Sequence, residues 1–166
     1  MEDEGQEQPV CRGGSAVTVW GLEVGVLPVY YFRMEGNPLT PEEREHVLDF
    51  YRSTIAAEEA FATLYDLTRG LTNFAEHVVP FSSFCNSMRS VTEGRLQFTV
   101  AVCPNSLYRG FLSIILRMAP SHAPFYVVTT LDEAWDVLAR SGDGTEEWDP
   151  CSNEAQLESH NLPVSL

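Results

Sequence analysis

Between residues 26 and 140, short β-branched or aromatic runs alternate with longer runs of helical period, and this alternation limits the fold more than any other feature of the chain. Strands separated by helices pair in parallel through right-handed crossovers. Residues 15–20 (SAVTVW) and 26–34 (VLPVYYFRM) come before the first helix and read as a hairpin turned between Gly21 and Gly25. Thr40-Pro41-Glu42-Glu43 is a helix start: Thr40 caps, Pro41 takes the first helical position and Glu43 completes a capping box. That helix runs to about residue 57, with Val47, Leu48, Tyr51 and Ile55 on one face. A strand over 61–67 follows, then a helix over 78–91 whose first turn holds Pro80, because proline breaks a helix interior. Phe81, Phe84, Cys85 and Met88 form its apolar stripe. Residues 96–103 (LQFTVAVC) are the most strand-like in the chain. Asn105 caps a third helix, to 118, with Leu107, Phe111, Ile114, Ile115 and Met118 as its buried band. A strand over 125–128 leads to a fourth helix, with Thr130 as cap and Glu133 closing a second capping box. The expected order is β-β-α-β-α-β-α-β-α. It describes an α/β domain with a mixed, mostly parallel sheet of about five strands and four helices.

The acidity lies mostly outside this pattern. The chain has 24 acids, ten arginines and no lysine, for a net charge of −14. Residues 1–10 carry −4 and residues 141–166 carry −6, with no basic side chain in either stretch. Segments 1–14 and 141–166 are therefore expected to be disordered acidic tails around a single domain over 15–140. The lack of lysine excludes a P-loop lysine, a Schiff-base lysine and a lysine general base. The acidic excess speaks against nucleic acid or an anionic membrane as partner. No basic region followed by an apolar stretch opens the chain, and no apolar run approaches the roughly 20 residues of a membrane span. A soluble, cytoplasmic protein is expected, with the widely spaced Cys11, Cys85, Cys103 and Cys151 as free thiols.

Three segments carry a resemblance: FATLYDLTRGL, LQFTVAVCPNSLYRGFLSIIL and PFYVVTTLDEAWDVLA. Together with the β-β-α prefix they resemble the STAS-like (anti-sigma-factor-antagonist) α/β domains, and their relatives in the CRAL-TRIO lipid-binding group. The resemblance implies a small domain that binds proteins or small ligands and does no chemistry. Regulatory STAS domains carry an Asp-Ser-x-Gly-type sequence whose serine is phosphorylated. Here the corresponding loop reads Thr68-Arg69-Gly70-Leu71-Thr72-Asn73-Phe74, without that serine, and Thr72 is the hydroxyl nearest to it. A phosphate there would act by adding charge at a helix start.

Ligands of open α/β sheets favour the carboxyl edge of the strands. Asp66, Thr68, Arg69, Asn105, Ser106 and Arg109 fall at that edge and, with Thr72, make the candidate surface for a ligand or partner. The competing reading is that these residues cap turns and pair locally. Cys103 and Arg109 also have the Cys-x5-Arg spacing of cysteine phosphatases, yet the loop lacks glycine and Pro104 removes a backbone donor. His46, His77, His122 and His160 show no metal-ligand spacing. The expectation is a non-enzymatic regulatory or protein-interaction module with a protein partner and no cofactor. The alternative is a domain for a small anionic or apolar ligand, such as a lipid. A Cys103/Arg109 phosphatase is the remote third reading.

Overall fold

A computed structural model describes residues 11–13, 17–35, 40–69 and 74–142. Strands β2 (Val17–Val24) and β3 (Leu27–Met34) form an antiparallel hairpin. Val24 pairs with Leu27, so Gly25 and Val26 make the turn, and the φ of +64° at Gly25 is one that glycine adopts without strain. Helix α1 (Pro41–Ser53) and a 3-10 turn (Ile55–Ala57) lead to β4 (Phe61–Asp66). Helix α2 (Phe74–Thr92) leads to β5 (Leu96–Val102), and α3 (Ser106–Met118) to β6 (Phe125–Val128). Helix α4 (Leu131–Gly142) closes the described chain. From β3 to β6 each strand pairs in parallel with the next, as the alternation predicts.

Among the described residues the sheet has six strands, the five expected and one more. The extra one, β1 (Cys11–Gly13), pairs antiparallel with β2 from within the segment expected to be disordered. Backbone pairing needs no side-chain pattern, so three residues can add to the open edge of a hairpin without a readable strand signal. The expected tail over 141–166 lies outside the described residues apart from 141–142, which end α4.

The first capping box forms in full and the second by half. Thr40 Oγ1 accepts from the Glu43 N–H at 3.2 Å, while the Glu43 carboxylate accepts from the Thr40 N–H at 2.8 Å. At α4, Thr130 Oγ1 accepts from the Glu133 N–H at 3.2 Å, but the Glu133 carboxylate returns to Thr129, accepting from its N–H at 2.7 Å and from its hydroxyl. Those bonds hold the Glu133 carboxyl below its ordinary pKa.

Two helices depart from their sequence reading. Helix α2 begins at Phe74, so Pro80 lies inside it rather than in its first turn. An interior proline costs one backbone hydrogen bond and about 3 kcal/mol. The apolar run Val78, Phe81, Phe84, Cys85 and Met88 packed against the core spans the break and offsets that cost. Helix α3 is rolled from its expected orientation. Leu112 and Ile115 are buried, whereas Leu107, Ile114 and Met118 lie on the outside at 63%, 45% and 47% exposure.

Helices α1, α2 and α3 lie side by side, α2 touching both others. They cover the face carrying Val17, Val19, Tyr30, Phe32 and Phe61. Crossovers of one hand between sequential parallel strands place their helices on one face in this way. Among the described helices α4 alone covers the opposite face, burying Ala134 and Leu138 against Leu64, Phe98, Val100 and Tyr126. The central strands, buried on both sides, alternate between the layers. In β4, Phe61 joins the α1–α3 layer while Ala62 and Leu64 join the α4 layer.

Candidate binding site

The carboxyl edge of the sheet holds the residues the sequence points to, and most are engaged locally. Asp66 ends β4 and is only 2% exposed. Its carboxylate accepts from the Tyr31 hydroxyl at 2.8 Å and from the Thr68 N–H at 2.9 Å, an Asx turn. Burial, together with this carboxylate, raises the Tyr31 phenol pKa well above its ordinary value. Arg69 is exposed and pairs with Glu35, which also accepts from Arg33 Nε at 2.9 Å. The Arg33 guanidinium sits 4.8 Å from the Trp20 ring centre, and Trp20 stacks on Tyr31 at 5.2 Å. Thr72 lies outside the described residues.

The β5–α3 loop lies beside Asp66, because Asp66 and Val102 are register partners. Asn105 caps α3, its side-chain oxygen accepting from the N–H groups of Leu107 and Tyr108 at 2.9 and 3.4 Å. Ser106, exposed, opens the helix. Arg109 turns back on the chain and donates from Nη1 to the carbonyls of Cys103 and Pro104, both at 3.0 Å. Cys103 is fully buried, and burial raises its thiol pKa despite the nearby arginine. A phosphatase needs a thiolate and an arginine turned to the phosphate. Here burial disfavours the thiolate and the guanidinium holds backbone carbonyls.

A second site lies away from that edge, and the sequence reading does not find it. A cavity of about 130 Å³ opens between strands β2 to β5 and helices α1, α2 and α3. It is smaller than the roughly 300 Å³ of a drug-sized pocket. It approaches the roughly 150 Å³ of an apolar cavity that takes up benzene. Its floor is Thr63, Thr99 and Ala101, and its walls include Phe81, Phe84, Met88, Leu112 and Ile115. Small side chains on the floor leave the room, since the opposing helices stand off at the distance their larger residues set. The deep polar groups are paired with one another. Thr63 and Thr99 hydroxyls lie 2.9 Å apart, and Tyr51 and Tyr65 hydroxyls 2.8 Å apart. Burial raises the pKa of both phenols, and that of the Cys85 thiol in the same wall to about 12. Among the described residues, no buried side-chain nitrogen or oxygen lacks a partner.

The mouth lies at the opposite, amino edge of the parallel strands. The exposed lining residues are Arg89 in the last turn of α2, with Pro120 and Ser121 after α3. Beside them His122 approaches Thr92, Nε2 to Oγ1 at 3.4 Å. The nearest sequence signal is the trio Thr63, Thr99 and Ala101, which stands out only once the three are known to face one layer. Among the described residues no group of three His, Cys, Asp or Glu side chains comes together to hold a metal ion, and no helix is long and apolar enough to cross a membrane.

This is the SpoIIAA-like, or STAS, fold. A solved structure with that fold, an uncharacterised DUF3478-family protein from Shewanella loihica PV-4, aligns with this chain at a TM-score of 0.55 and 15% identity. The alignment covers 78% of this chain and 98% of that one. At such identity the likeness shows the fold alone. It carries the STAS side of the sequence resemblance and not the CRAL-TRIO side. No family model matches the chain, and neither does any curated protein.

Proposed function

We propose that this chain is a non-enzymatic binding module that takes a small apolar or amphiphilic ligand into the cavity between the sheet and helices α1, α2 and α3. The observation that carries this reading is the cavity itself, apolar in its depth and open at one edge. An unfilled apolar void costs stability in proportion to its volume, so an occupant that fills it stabilises the fold. The buried Cys103 and the engaged Arg109 support the non-enzymatic part. The test is titration with toluene, followed by amide chemical shifts. Shifts should cluster on the cavity walls and disappear in Ala101→Leu, whose larger side chain enters the cavity. Shifts scattered over the surface, or absent, would sink the proposal.

A second reading, a regulatory or protein-interaction module, is favoured by a different observation. Leu107, Ile114 and Met118 on α3 and Val79 on α2 are large apolar side chains left in solvent. A protein partner whose binding is lost in Met118→Glu, while toluene uptake persists, would support it.

A further inference from the structure

We infer that the ligand of this cavity is an amphiphilic carboxylate: a short apolar body inside, and a monoanionic head at the mouth against Arg89. The inference rests on the cavity being a ligand site and concerns what that site selects. Three observations converge on it. The first is charge. The chain has 24 acidic residues and a net charge of −14, yet among the described residues no Asp or Glu lines the cavity. Among the described lining residues the one permanent charge is the Arg89 guanidinium, exposed at the opening. Among the described residues the Arg89 guanidinium makes no hydrogen bond or ion pair, its carbonyl alone accepting from the Glu93 N–H.

The second is the placement of polar groups. The hydroxyls deep in the cavity satisfy one another in two pairs. A polar head driven inward would break a pair and leave a buried group unsatisfied. The polar end of a ligand is therefore held at the mouth, where the Arg89 guanidinium offers donors, the Ser121 hydroxyl being given to the Ala123 carbonyl and His122 Nε2 to Thr92. The third is size. About 130 Å³ suits a body near that of benzene or a medium-length alkyl chain, and excludes a two-tailed lipid. A single guanidinium matches a single carboxylate, bidentate and charge-balanced.

Isothermal titration of the full chain with octanoate, 1-octanol and octylammonium tests the selection. Octanoate should bind about tenfold more tightly than octanol, the gain of one charge-assisted contact, and octylammonium more weakly than octanol. Arg89→Gln, on an exposed helical turn, should bring octanoate down to the affinity of octanol and leave octanol unchanged. If octanol binds as well as octanoate, or if Arg89→Gln weakens both equally, the carboxylate inference is overturned while the cavity reading stands. If none of the three binds while toluene does, the carboxylate inference falls and the cavity reading stands; if toluene fails as well, both fall.

Discussion

Asp66 is where a residue that resembles a site residue proves to be part of the scaffold. A carboxylate at the carboxyl end of a central parallel strand is where an α/β domain would place a ligand contact. Here its two oxygens hold the Tyr31 hydroxyl and the Thr68 amide, and almost none of it meets solvent. Removing it strands two donors at once. Asp66→Ala should lower the unfolding free energy by about 1–3 kcal/mol, the cost of leaving such groups unsatisfied, as measured by urea denaturation. A change under about 0.5 kcal/mol, as at an unremarkable surface position, would mean that Asp66 is not structural and restore it as a ligand contact. Sequence reasoning places Asp66 and Asn105 at the correct edge because turns and caps are local events. It cannot separate a capping role from a binding role, since both use the same short polar side chains.

At the scale of elements, short-range signals transfer well and long-range ones do not. Thr40 with Glu43, and Thr130 with Glu133, lie three residues apart, so their bonds follow from local geometry. The facing of α3 does not. Its apolar residues form two adjacent stripes of the same period, one through Ile114 and one through Ile115. Periodicity shows that a helix is amphipathic; only the neighbouring elements decide which of two touching stripes turns inward. Pro80 fails as a helix boundary for a related reason, because packing on both sides of it outweighs a local rule. The roll of α3 makes a sharp contrast measurable. Ile114→Gln should change stability by less than about 0.5 kcal/mol, whereas Ile115→Ala should cost about 2–5 kcal/mol. Thermal or chemical unfolding of the pair checks this, and equal losses would contradict the observed facing.

For the whole molecule, the buried thiols and phenols set an alkaline limit. Burial lifts Cys85 from 9.0 to about 12, and burial with the Glu58 carboxylate lifts Tyr30 from 10.0 to about 12. In the unfolded chain these groups lose protons from about pH 9–10, while in the fold they keep them until about pH 12. Deprotonation thus favours the unfolded chain. The stability these groups contribute is fully present below pH 9 and declines as pH rises toward 12. Urea midpoints at pH 8, 9.5 and 11 should fall in that order; a flat profile would contradict the burial. The cavity also belongs to this scale. It is formed by strands β2 to β5 and helices α1, α2 and α3 together, and no single segment announces it. The strand order brings a final consequence, for how the chain is made. Every strand pairs with its neighbour in sequence, and cross-strand contacts such as that of Thr63 with Thr99 span only 36 residues. From β3 onward, a chain emerging from the ribosome can add each new strand to one already in place, with no early strand waiting for a late partner.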